Sequence, residues 1–73
     1  MIIKYVNYGN KQIITDFDDM TMDFDGKKGD YIVIQREQYF RRYLIKDIIH
    51  YLEKDNYIKY IELLHIDTKP ELF

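Results

Sequence analysis

A chain of 73 residues without one cysteine can be held together only by what its own side chains bury. Disulfides and thiolate zinc sites are both excluded, and these are common supports of domains this small. A chain of this length buries only about 60% of the surface it exposes when unfolded. It is therefore expected to form one domain, residues 1–73, with a thin margin of stability. Twelve Ile and eight Tyr supply a dense core, or a core together with an apolar interface.

The order of elements follows from periodicity. "IIKYVNY" (2–8) and "QIITDF" (12–17) flank Gly9-Asn10-Lys11 and predict a hairpin. "MTMDFD" (20–25) alternates strictly, with Met20, Met22 and Phe24 to one side and Thr21, Asp23 and Asp25 to the other. Asp18-Asp19 is then a turn or bulge, and Asp25-Gly26-Lys27-Lys28-Gly29 a tight turn into the strand "YIVIQ" (31–35). Residues 36–55 carry Phe40, Leu44, Ile48, Tyr51 and Leu52 at three-and-four spacing, opposite Arg41, Arg42, Lys46, Asp47, Glu53 and Lys54, which predicts an amphipathic helix. Asp55-Asn56 breaks it. A second short helix, with strand as its alternative, follows at 57–66, and 67–73 reads as a loose tail. The expectation is an α+β domain: a four-stranded antiparallel meander, then a long helix and a short one.

Composition narrows the function. The net charge of −2 does not suit a generally basic nucleic-acid binder. No apolar run approaches the roughly eighteen residues of a membrane span, and the N-terminus lacks signal-peptide features, so a soluble, cytoplasmic protein is expected. Ser and Cys are absent, which removes the common Ser-His and Cys-His nucleophiles. His50 and His65 have no ligand spacing. Asp23-x-Asp25-Gly26 resembles the middle of an EF-hand loop, but Thr21 and Ile32 stand where its first and last ligands belong. Gly26-Lys27-Lys28-Gly29 joins strands and is too short for a phosphate loop. No enzyme activity, metal or cofactor is expected.

Two charged clusters remain. Asp16, Asp18, Asp19, Asp23, Asp25 and Asp30 fall within fifteen residues, beside Tyr31. Carboxylates two residues apart on a strand lie roughly 6.6 Å from each other, so such a row can imitate phosphates. The bland alternative is a solvated strand face with acidic turn residues. The second cluster, Arg36, Arg41, Arg42 and Lys46, stands among Tyr39, Phe40 and Tyr43, a pattern that can bind single-stranded nucleic acid. Here the alternative is an ordinary polar face, because acidic neighbours nearly balance the basic groups.

Eight tyrosines exceed what so small a core can hold, and tyrosine is enriched at interfaces. The leading expectation is a non-enzymatic inhibitor that docks on a larger nucleic-acid-binding host protein through the acidic hairpin. Usage rich in Ile, Lys, Asp and Tyr, typical of A+T-rich genomes, suggests a phage or mobile-element origin and an anti-CRISPR-like role. The alternatives are a nucleic-acid-binding regulator using Arg36–Lys46, or a structural module forming a homodimer.

Overall fold

The computed structural model describes residues 2–18 and 26–70. Four strands form one mixed sheet: β1 (Ile2–Asn7), β2 (Tyr31–Gln35), β3 (Tyr39–Glu53) and β4 (Asn56–Pro70), in the spatial order β1-β4-β3-β2. A single 3-10 turn, Thr15–Phe17, stands between β1 and β2. There is no α-helix among the described residues.

The expected long helix is instead the strand β3, and the segment 57–66 takes its strand alternative within β4; these are the two longest strands. β3 and β4 pair antiparallel along their whole length, from Tyr39↔Pro70 to Glu53↔Asn56. The expected helix breaker, Asp55-Asn56, instead belongs to the hairpin end: Lys54 and Asp55 make the turn, with Lys54 at φ 51°. Residues 67–70, expected as tail, pair with 39–42. The α+β expectation is corrected to an all-β sheet. The meander is corrected too, because β1 runs parallel to β4, Ile2↔Ile58 through Asn7↔Leu63. Segment 12–17 does fold back on β1, through the bridge Val6↔Ile13 and the Ile14 amide donating to the Tyr5 carbonyl. It then turns 3-10 instead of continuing as a strand. The strand expected at 20–25 lies outside the described residues.

A bulge in β3 explains why that strand imitates a helix, and a second bulge lies on β4. Ile45 pairs with Leu63 and Asp47 with Glu62, which leaves Lys46 as an extra residue; likewise Ile66 is extra between Asp67 and His65. A bulge inserts one residue and so flips the alternation beyond it. Tyr43, Ile45 and Ile48 therefore share a face at spacings of two and then three. Both faces of β3 are also apolar, so the strand carries more apolar positions than simple alternation allows. Seven of its fifteen residues are aromatic or Ile, and none is Ala, a composition that fits a pleated surface.

The register sorts the side chains into two faces. The first carries the core: Phe17, Ile34, Tyr43, Ile45, Ile61 and Leu63 are buried, with Ile3, Tyr5, Ile14, Ile32 and Ile48 packed on them. Phe17 caps this face, stacked on Tyr5 at 4.2 Å and tilted against Tyr43 at 5.7 Å. The 3-10 turn is what delivers that ring. Val6 and Glu62, also buried, belong to the opposite face, since they pair with each other in the β1–β4 ladder.

Candidate interaction face and its ion pairs

The two clusters that compete in the sequence meet in the structure. Asp16, on the 3-10 turn, accepts two hydrogen bonds from Arg41 Nη1 (2.8 and 2.7 Å) and one from the Tyr43 hydroxyl (2.6 Å). Arg36 donates to the Asp16 main-chain carbonyl. Arg41 also lies over the Tyr39 ring, 4.9 Å from its centroid. An expected phosphate mimic and two expected phosphate binders thus satisfy one another at the rim of the core. Burial works against the charged form of Asp16. The hydrogen bonds from Tyr43 and Arg41, with the charges of Arg41 and Arg36, outweigh it and hold the carboxyl below its ordinary 3.8. Burial pushes the Tyr43 hydroxyl up to about 12, reinforced by its hydrogen bond to Asp16.

The remaining expected residues disperse. Arg42 forms a two-pronged pair with Asp67 across β3 and β4, Nε to Oδ1 at 2.7 Å, and its hydrogen bond lowers the Asp67 carboxyl below 3.8. Lys46, at the bulge, sits 5.1 Å from the Tyr8 ring centroid. Asp18 follows the 3-10 turn and is exposed. Asp30 caps its own turn by accepting the Lys27 amide at 3.0 Å. Asp19, Asp23 and Asp25 lie outside the described residues. Among the described ones, then, the acidic row does not assemble.

His50 Nδ1 meets the Tyr57 hydroxyl at 2.6 Å, and His65 Nε2 meets Thr68 Oγ1 at 2.9 Å. Among the described residues no three His, Asp or Glu side chains gather as a metal could require. No helix among them is long and apolar enough to cross a membrane.

What the sequence reading missed is the second face of the sheet. The register brings Ile2, Ile13, Tyr31, Val33, Ile49, Tyr51 and Leu64 to that face, and each is 41–69% exposed. Of these, Tyr31 is a partner-binding candidate in the sequence, and Tyr51 stands there in the apolar stripe assigned to a helix. The signal was present in the alternation of β2, where Tyr31, Val33 and Gln35 oppose the core pair Ile32 and Ile34.

Inside this face is a pocket of about 300 Å³ lined by Val6, Lys11, Ile49, Tyr51, Tyr60 and Glu62. The Glu62 side chain is 5% exposed and is ion-paired to Lys11, whose side chain is 61% exposed. Lys11 reaches in from the turn after β1, where its backbone adopts φ 61°, and passes 5.1 Å from the Tyr8 ring centroid. A carboxylate between Ile61 and Leu63 in the middle of a sheet was the signal for this site. Charged side chains are almost never fully buried without a partner.

Comparison of the chain with protein-family models, with curated proteins and with solved structures finds no match.

Proposed function

We propose that the chain is a non-enzymatic protein-binding module whose binding surface is the second face of the sheet, where the described apolar residues are exposed. The observation that carries this reading is the set of large apolar side chains exposed on one face, Ile2, Ile49, Tyr51, Leu64, Val33 and Tyr31, among which charged residues such as Asp47 and Arg42 also stand. Exposed apolar patches beyond a few hundred Å² mark interaction surfaces. The molecule measures 46 by 23 Å along its two longest axes, which bounds a face of roughly 1,000 Å², against about 800 Å² per partner in a stable interface.

The occupant is an apolar segment of another protein. Two ion pairs on this face are made within the chain, Arg42 with Asp67 and Lys11 with Glu62, and Lys4, Asp47 and Lys69 share the face, so the segment sets polar residues among its apolar anchors. This differs from docking by an acidic row, since Asp16 and Asp30 are engaged inside the chain. It also differs from nucleic-acid binding, since Arg41 and Arg42 are both paired with carboxylates. Substituting either arginine would therefore disturb the fold as well as any phosphate contact.

The test is panning of a displayed peptide library on the immobilised chain, with sedimentation equilibrium of the free chain alongside. Monomers are expected at micromolar concentration, with enrichment of apolar peptides whose binding weakens at least about tenfold in Val33→Lys or Leu64→Lys. Both positions are exposed, so the fold should persist. A dimer dispersed by the same substitutions would show that a second copy covers the face. Peptide binding indifferent to them, or lost only with Asp23→Asn and Asp25→Asn, would overturn the reading in favour of the acidic hairpin.

A further inference from the structure

We infer that the Glu62 pocket is a receptor for a basic side chain, a lysine or an arginine of the docked protein, and that Lys11 occupies it in the free chain as a tethered stand-in. The site has a floor, walls and a mouth. Its floor is a carboxylate that is almost wholly buried, 5% exposed, and Lys11 is its ion-pair partner among the described residues. Val6, Ile49, Tyr51 and Tyr60 line it together with Lys11 itself, so the free volume lies beside the Lys11 side chain. Tyrosine rings beside a carboxylate suit a cation, because the ring face attracts positive charge and a buried carboxylate interacts more strongly than one in water.

The asymmetry of the existing pair is the decisive feature. Glu62 is fixed in the central strand β4 between Ile61 and Leu63, both fully buried. Lys11 comes from an exposed turn, and most of its side chain remains in solvent. Displacing Lys11 returns a flexible ammonium to water, whereas leaving Glu62 without a cation strands a buried charge. An incoming basic side chain can therefore exchange with Lys11 without uncovering the carboxylate. The volume, about 300 Å³, lies at the low end for ligand pockets and fits one long side chain better than a large cofactor. The pocket's lining residues lie on the second face, so a segment docked there would carry the inserted residue. That origin of the side chain rests on the docking proposal; the pocket's preference for a cation does not.

The experiment uses the Val33→Lys chain, which the docking proposal expects to be folded and monomeric whether the face binds a peptide or a second copy. N-acetyl-lysine methylamide, N-acetyl-arginine methylamide and uncharged N-acetyl-norleucine methylamide are titrated in turn, followed by amide NMR shifts. The two basic probes should perturb Val6, Ile49, Tyr51, Tyr60 and Glu62, and norleucine should not. The Lys11 ammonium resonance should move toward its free-solvent position as the basic probe saturates. Adding Lys11→Met should tighten the basic probes by about tenfold, as a resident competitor is removed. Glu62→Gln, with dispersed amide signals showing that it is folded, should abolish binding. Equal binding of norleucine, shifts centred elsewhere, or an unmoved Lys11 resonance would each overturn the inference. These outcomes stand apart from the peptide panning, because Val33 lies on β2, away from the pocket.

Discussion

Truncating Ile61 to alanine should cost about 2–5 kcal/mol of folding free energy, read as a lower midpoint in urea or guanidinium unfolding. Ile61 is fully buried on β4, paired with Tyr5 of β1 on one side and Ile48 of β3 on the other. The strands on both sides therefore lean on its side chain, and the rigid backbone of two ladders limits how far they can collapse into the gap. A domain of this size has a total stability on the order of 4–11 kcal/mol, so this single change removes a large share of it. The matched control is Val33→Thr on the second face, 57% exposed, which should change stability by less than about 0.5 kcal/mol. Equal losses at the two positions would mean that both faces are covered in solution, and the interaction proposal would fail with them.

The contrast between these positions also shows what sequence could reveal. β2 was legible at its observed bounds and β1 to within one residue, because each is short, rich in Ile, Val and Tyr, and bounded by turn residues. β3 was not. Its bulge at Lys46 replaces a spacing of two by three, and its two apolar faces fill the positions that a helical stripe would use. Phe40, Leu44, Ile48, Tyr51 and Leu52 look like one stripe but divide between opposite sides of a sheet. Periodicity counts spacing along the chain and carries no information on which strand lies alongside. The parallel pairing of β1 with β4 was hidden for the same reason, since its partners are 56 residues apart in register.

The charged residues were found more readily than their roles. Asp16 and Arg41 both stood out, but in rival clusters, because nothing local says that residues 25 apart will share a hydrogen bond. Glu62 went unremarked as a site although its setting, a lone carboxylate inside Ile61-Glu62-Leu63-Leu64, is the kind of conflict between local character and burial that accompanies binding sites. That conflict, more than the conspicuous aspartate run, marks the pocket.

The Asp16 cluster gives the second large effect, and it carries a pH signature. Asp16→Ala removes the acceptor of Arg41 and of the Tyr43 hydroxyl together. Hydrogen bonds to charged groups contribute about 1.5–3 kcal/mol, and a buried donor left without a partner adds its own penalty. A loss of about 2–3 kcal/mol at neutral pH is expected, since Asp16 is only 14% exposed and Arg41 36%. The carboxyl's folded value lies below its ordinary 3.8, so its contribution is fully present above that value and is lost as pH falls through the folded one. The gap between wild type and Asp16→Ala should therefore close on acidification below the ordinary carboxylate range. At the alkaline end the sign reverses. Tyr43 holds its proton up to about 12 in the folded chain, against 10.0 unfolded, so stability falls with rising pH between those values, by about 1.4 kcal/mol per pH unit from this group. Asp16→Ala should flatten that alkaline slope, because part of the rise comes from the Asp16 hydrogen bond and charge, and Tyr43→Phe should remove this group's share altogether. Urea unfolding of the three proteins across the pH range measures both arms. If Asp16→Ala tracks wild type in parallel from acid to alkali, the carboxylate is a solvated surface group, as the acidic-hairpin reading required.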